Sequence, residues 1–265
     1  MPFDIVAWAE AAPGTGTVYL AAGLGDSFYR TTGDDIFIRP EAPYCLGVLS
    51  MTTSTGGTAR LRQPSLAIDY EFIKSGLTTD LDPMLGYHHM FGRPLPMIAN
   101  EKCNALVTNA TDEDNIVAAI FGSGKITQSA LDGVNPTHRI TGYSDTTVTA
   151  LTWSNCPITW NQDLPEGRYA VVGLRVGVYV ASRETAVARL TGLKGPGSNW
   201  RPGVPCALMD ADHEEFQDIG WEPYVRWPLM PEISFPHDDL PDVEVLMVNT
   251  AATDENVELL LQKIS

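Results

Sequence analysis

Several fragments of the sequence hold residue types that can do chemistry, and the first is a glycine-rich segment with a lysine. A phosphate-binding loop places one glycine five residues before a Gly-Lys pair, and a Ser or Thr directly after the lysine. Around Gly124 and Lys125 those two places hold Ala119 and Ile126. The spacing therefore favours a hairpin turn between strands over a phosphate site.

Histidines beside carboxylates form the second group of fragments. His213 lies within the acidic run Asp210–Glu215, and His237 precedes Asp238 and Asp239. Such residues can hold a divalent cation or do acid–base work. Their spacing matches neither the H-E-x-x-H zinc motif nor the twelve-residue calcium loop, so we predict solvated acidic loops and assign no metal. Whether Asp210–Glu215 binds a cation stays open.

Hydrolytic chemistry finds little support in the remaining motifs. The serine-hydrolase frame Gly-x-Ser-x-Gly is missing around both Ser27 and Ser123. Glycoside hydrolysis needs only two suitably spaced carboxylates, and 33 acidic residues supply many pairs. We predict that the chain is not an enzyme and has no catalytic residue and no cofactor. A carbohydrate-binding or carbohydrate-cleaving β-sandwich is the alternative.

The net charge and the amino-terminal residues limit the partners and the cellular location that we expect. The net charge of −16 argues against direct nucleic-acid binding, which depends on Lys and Arg neutralising phosphates. Residues Met1–Trp8 lack the basic start and the apolar stretch of a secretory signal, and no apolar run of about 18 residues occurs. We therefore expect a chain made in the cytosol with no transmembrane segment.

Four cysteines are widely separated and form no C-x-x-C pair: Cys45, Cys103, Cys156 and Cys206. Free cysteine is among the most buried residue types, so we expect buried, reduced thiols. Two disulfides are the alternative.

Short alternating or β-rich stretches bounded by turn residues recur along the chain. They predict strands at 3–8, 17–22, 35–39, 44–52, 58–62, 102–108, 115–121, 146–153, 168–180 and 186–193, the first five as a series of hairpins. The pattern predicts an all-β chain, with one β-sandwich domain over 1–265 and extended loops at 75–100 and 194–242. At the carboxyl end, 257–264 fits either a strand or a helix face, and we favour a strand.

An internal echo keeps a second domain arrangement open. Residues 106–117 and 246–257 each contain an apolar run, a polar Asn/Thr/Asp/Glu reversal and a second apolar run. If the echo is real, the chain splits near residue 125 into two small β-sandwiches in tandem. Any two strand–turn–strand segments can look alike, which is the simpler explanation.

Aromatic and proline residues concentrate between 194 and 242, where so many prolines exclude regular central strands. Trp, Tyr and Arg dominate interface hot spots, so this stretch contains candidate subunit-interface residues. Covering of the chain's own core and a sugar-binding groove are the alternatives. The candidates are Trp200, Arg201, Trp221, Tyr224, Arg226 and Trp227.

Three features together resemble one protein family: short strands with long loops, the strand–turn–strand block 168–193, and the Gly92–Met97 approach into the strand 102–108. The family is that of the jelly-roll capsid proteins of icosahedral viruses, and the resemblance covers about residues 35–195. The resemblance implies a jelly-roll-like antiparallel β-sandwich that assembles into shells without catalysis. Unlike many such proteins, the chain has no Lys or Arg before Arg30.

The resemblance also sets the expected partners and location. It implies a homo-oligomer whose partners are copies of itself and other virion proteins. It places the protein in the virion, assembled in the host cytoplasm. The missing basic arm would point to a shell lined by a membrane or other proteins, or to an outer-shell or spike subunit.

Overall fold

The computed structural model describes residues 3–26, 28–52, 57–66, 69–76, 87–89, 94–123, 137–179, 186–195, 197–209, 233–248 and 254–265. Every regular element in these ranges is a β-strand, which confirms the predicted all-β class. The same ranges contain no helix of the length and apolarity that a membrane span requires.

The first strand group lies within residues 3–122 and forms one 11-stranded sheet. Strand β7 joins its two parts, because it pairs with β5 on one side and with β6 on the other. The strands are β1 (Phe3–Glu10), β2 (Gly16–Tyr19), β3 (Thr31–Thr32), β4 (Asp35–Phe37), β5 (Tyr44–Thr52), β6 (Gly57–Arg62), β7 (Tyr70–Gly76), β8 (Tyr87–His89), β9 (Leu95–Pro96), β10 (Lys102–Asn109) and β11 (Asn115–Gly122).

The second strand group lies within residues 138–263 and forms a 6-stranded and a 4-stranded sheet. Nearly all pairings in both groups are antiparallel, with β5–β7 and β15–β18 parallel. The strands are β12 (His138–Ser144), β13 (Ser154–Cys156), β14 (Thr159–Trp160), β15 (Arg168–Tyr179), β16 (Ala186–Thr191), β17 (Gly203–Pro205), β18 (Ala207–Met209), β19 (Ser234–Pro236), β20 (Asp242–Met247) and β21 (Glu255–Lys263).

The two groups repeat one pairing order. In the first, β11 lies between β1 and β5, while β10 lies between β4 and β6. In the second, β21 lies between β12 and β15, while β20 lies between β13 and β16. The first strand of each group therefore pairs with the last. The sequence echo at 106–117 and 246–257 falls on the last two strands of each group, and how many domains these groups form stays a prediction.

Burial patterns place the sheets in layers. β1 and β11 are buried along almost their whole length, and so is β16, as expected for strands covered on both faces. Alternate side chains of β1 enter different clusters: Val6 and Trp8 belong to the main core. Ile5, Ala7 and Ala9 instead belong to a smaller cluster shared with β16 and β20 of the second group. The β1–β11–β5 sheet part thus packs against the 4-stranded sheet.

Two local expectations were wrong. The first sixty residues are not a series of hairpins, because β1 pairs with β11 and β2 with β10, each about a hundred residues later. Residues 146–153 do not form a strand either. A turn forms there, with Leu151 at φ 58° and the Thr152 N–H bonded to the Thr149 carbonyl. The apolar pattern that suggested a strand reflects Val148 and Trp153, which enter the core from this turn.

Two other predictions are confirmed. All four cysteines are free and buried, and burial raises the pKa of the Cys45 thiol to about 12. The carboxyl-terminal segment is a strand, β21, in the middle of its sheet between β12 and β15. Val257, Leu259 and Leu261 enter the core, as period-2 alternation requires.

Candidate functional site

A cluster of buried charges lies where the two strand groups meet, and we call it the junction cluster. It combines three carboxylates with three guanidinium groups, so its formal charge is zero when all are ionised. Buried charges of this kind persist in proteins only when they are paired and hydrogen-bonded. The members are Asp4, Asp26, Arg39, Arg189, Arg201 and Glu244.

Arg189 on β16 is the centre of one half of the cluster, and its side chain has no exposed surface. Its Nη1 lies 3.0 Å from Asp26 Oδ2, and its Nε lies 2.6 Å from Glu244 Oε2. The guanidinium carbon stands 3.9 Å from the ring centre of Trp153. Burial opposes the charge, but Asp26 and Glu244 outweigh it and raise the pKa of Arg189. Arg189 is therefore a fixed cation.

Asp26 fixes the turn that approaches Arg189. Besides the arginine, its Oδ1 accepts hydrogen bonds from the backbone N–H groups of Phe28 and Tyr29, at 2.8 and 2.9 Å. A side chain that caps its own turn in this way holds the chain in one conformation. The Asp26 carboxylate of the first strand group thereby orders its own loop and also binds Arg189 on β16 of the second strand group.

Asp4 on β1 is the centre of the other half, and it is fully buried. Its Oδ2 accepts from the Tyr29 hydroxyl at 3.0 Å and from Arg39 Nη1 at 2.9 Å. Its Oδ1 accepts from the Arg201 backbone N–H at 2.6 Å. Burial raises the pKa of Asp4 from 3.8 to about 6, although these donors and Arg39 lower it.

The segment Asn199–Arg201 of the second group lies along β1 and is held from both ends. Arg39 Nη1 donates to the Asn199 carbonyl at 3.0 Å, and its guanidinium stands 5.4 Å from the Trp200 ring centre. The Ile5 N–H donates to the Arg201 carbonyl at 3.0 Å. Asp4, Ile5 and Arg39 thus bind this segment by backbone and charge together.

Strand β1 pairs with β11 on one side, and backbone contacts cover its other edge. Beyond the Ile5 bond to Arg201, the Gly23 N–H donates to the Ala7 carbonyl at 3.0 Å. The Ala9 N–H donates to the Ala21 carbonyl at 2.9 Å. An uncovered strand edge invites pairing with another chain, so this edge is closed to such pairing.

The chemistry that the junction cluster can do is limited by access. A buried carboxylate with a raised pKa is a common sign of a catalytic acid or base. Asp4, however, has no exposed surface, and donors from its own chain occupy both oxygens. Within the described ranges, no group of three or more His, Cys, Asp or Glu side chains could hold a metal ion. We interpret the cluster as a set of ion pairs and hydrogen bonds that holds the two strand groups together.

The predicted interface residues separate into two sets. Trp200 is buried against Arg39, so its ring covers the chain's own core, one of the alternatives that the sequence left open. Arg201 is half-buried, with its guanidinium 4.6 Å from the Phe28 ring centre. Trp221, Tyr224, Arg226 and Trp227 lie outside the described residues, as does Asp210–Glu215 with His213. Their predicted roles stay predictions.

The other acidic segment with a histidine, His237–Asp239, lies within the described residues. The His237 N–H donates to the Gly167 carbonyl at 2.9 Å, and Asp239 accepts from Lys194 at 2.8 Å. These contacts attach the turn to neighbouring segments of the second group.

Sequence reasoning missed the junction cluster, although a signal was present. Asp4 and Arg189 are charged residues inside two buried strands, Phe3–Glu10 and Ala186–Thr191. A charge inside a buried strand needs a partner of opposite charge. The pattern could identify the two residues, but it could not identify partners far away in the chain.

Neither a family model nor a curated protein matches the sequence. Among solved structures, the crystal structure of the STIV MCP is similar over 98% of this chain and 96% of that chain, at 9% sequence identity and a TM-score of 0.21. A likeness of that strength carries no argument about this chain.

Proposed function

We propose that this chain is a non-enzymatic structural protein that assembles with copies of itself into the coat of a virus particle. The observation that carries the proposal is the layered strand block, whose two groups are joined by an apolar layer and by the junction cluster. A shell subunit has to transmit contact forces without deforming. Close-packed interiors have low compressibility, which suits that task.

Small residues in the layer between the groups support the rigidity argument. Ala7, Ala9 and Ala118 lie in this layer and let the sheets approach closely. Gly203 on β17 lies against the Ala188 carbonyl and the Ile5 side chain, so that even a methyl group would collide there. Such close fit fixes one relative position of the two groups.

Polar outer surfaces are consistent with contacts made through loops. On the 6-stranded sheet, the exposed side chain of Arg139 pairs with Glu258, which is itself nearly buried. On the first group, Arg60 lies 3.5 Å from Glu71. These charges favour hydration of the broad sheet faces. We propose that, within the proline- and aromatic-rich stretch 194–242, the residues around Trp221 and Trp227 make the contacts to neighbouring subunits.

The charge balance shapes the proposed assembly. At a net charge of −16, subunits repel one another unless salt screens them, so assembly is expected to strengthen with ionic strength. The proposed partners are copies of the chain and other virion proteins, without direct nucleic-acid contact. The proposed location is the virion, with assembly in the host cytoplasm. No observation favours the carbohydrate alternative.

Light scattering coupled to size-exclusion chromatography tests the proposal on the purified chain across a salt series, followed by electron microscopy of large species. We expect closed symmetric oligomers or shells that grow with salt. A monomer at every salt concentration would contradict the proposal, and glycan-binding assays would then be the next step.

Matched tryptophan variants sharpen this test. Trp221→Ala and Trp227→Ala should weaken assembly while leaving the free energy of unfolding nearly unchanged. Trp200→Ala is the control, because a buried ring is lost and unfolding should become easier by about 3–5 kcal/mol. The interface assignment fails if Trp221→Ala and Trp227→Ala lower monomer stability and leave assembly intact.

A further inference from the structure

We propose that the segment Asn199–Arg201, which we call the clasp, is proton-coupled: seating it on β1 buries the Asp4 carboxyl, so the seated form takes up a proton and holds more tightly in mildly acidic solution. This inference goes beyond the proposed function and does not depend on it. It concerns how the two strand groups are held together.

The geometry supplies the coupling. The clasp covers Asp4 directly, because the Arg201 N–H bonds Asp4 Oδ1 and the Arg201 carbonyl accepts from Ile5. Trp200 in the middle of the clasp is itself buried and lies against Arg39. If the clasp lifted from β1, Asp4 would lose the hydrogen bond from the Arg201 N–H, and water would reach the carboxyl. Seating and burial of Asp4 are therefore one event.

Groups from several elements face Asp4. Tyr29 and Arg39 come from the first strand group and contact Oδ2. Arg189 on β16 acts on Asp4 at longer range, and its charge is balanced by Asp26 and Glu244. Arg201 contributes its backbone N–H, while its guanidinium stacks on Phe28. Arg39 is thus the cation in direct contact with the carboxylate.

The sign of the coupling follows from the balance at Asp4. Burial raises the pKa of the seated carboxyl to about 6. Once the clasp lifts, water would return this pKa to its ordinary 3.8 or below, because Arg39 and Tyr29 stay in contact with the carboxylate. The seated form binds the proton more tightly, so its stability relative to the lifted form is largest at low pH and falls as pH rises between these values. From about pH 5 to pH 7.5, linkage gives about a tenfold rise in the lifting equilibrium.

Amide hydrogen exchange of the full chain tests the clasp. Protection factors of a peptide covering 199–201, corrected for intrinsic exchange, should fall about tenfold from about pH 5 to pH 7.5. Asp4→Asn should abolish this pH dependence, whereas Asp145→Asn, at an exposed residue, should leave it unchanged. A peptide from β21 reports on global unfolding in the same samples.

Three results would overturn the inference: protection of 199–201 that is constant with pH, protection that rises with pH, or the same pH dependence in Asp4→Asn. If Asp4→Asn does not fold, Tyr29→Phe decides. Loss of the hydroxyl that lowers the pKa of Asp4 should move the midpoint of the protection change to higher pH. An unmoved midpoint contradicts the role of Asp4.

Discussion

Asp4 and Arg189 are both buried charges inside buried strands, but their surroundings shift their pKa values with different consequences for their charge. Arg189 has carboxylates on two sides and a tryptophan ring against its face, so its charged form is retained. Asp4 has one guanidinium and two neutral donors, and burial outweighs them enough to bring its pKa to about 6. Arg189 thus acts as a permanent link, while Asp4 is the group that can respond to pH.

Replacement of Arg189 tests the permanent link. Arg189→Met keeps much of the apolar stem but leaves Asp26 and Glu244 without their cation, so the free energy of unfolding should fall by about 3–5 kcal/mol. Urea denaturation followed by tryptophan fluorescence measures the change. Arg62→Met is the matched control, because Arg62 and its partner Asp69 are both solvent-accessible and such an ion pair is worth about 1 kcal/mol or less. Equal losses in the two variants would contradict the proposed importance of Arg189.

At the scale of elements, local pattern was a good guide to strands and a poor guide to their partners. The strand Tyr44–Thr52 was predicted with its observed bounds, because its apolar residues lie between clear turn signals. Its neighbour β11 lies about seventy residues further on, and nothing in the local pattern specifies that pairing. The junction cluster has the same origin. Asp4 could be recognised as unusual, yet its contact with Arg201 is 197 positions away.

Strand β17 offers the sharpest test of the packing between elements. Gly203→Ala adds a methyl group that collides with the Ala188 carbonyl and the Ile5 side chain. Because backbone cannot move aside cheaply, we expect a loss of about 1–3 kcal/mol in unfolding free energy. Asn155→Ala, at an exposed position of β13, should change it by about 0.5 kcal/mol or less. A fully stable Gly203→Ala variant would show that the two groups are not closely packed at β17.

At the scale of the whole molecule, the apolar layer between the strand groups binds them to each other. Ile5, Leu49, Met51 and Ile116 of the first group meet Val187 and Leu246 of the second. Burying one such side chain fully is worth about 1.5–3 kcal/mol. Exposing these side chains to water would therefore cost a large part of the net stability of a typical domain, which is about 5–15 kcal/mol. Two groups with repeated strand order are thus expected to depend on each other for stability.

Separate expression of residues 1–123 and 137–265 tests this dependence. Each piece alone would expose one side of the apolar layer and leave charges of the junction cluster unpaired, so we expect aggregation or a lack of cooperative unfolding. Co-expressed with different affinity tags, the two pieces should copurify as a one-to-one complex. Leu49→Asp in the layer should abolish copurification, whereas Arg60→Ala on the outer face should not. If each piece is instead a soluble, cooperatively folding monomer that ignores the other, the layer is a weak contact, and the clasp at Asn199–Arg201 would have little to hold together.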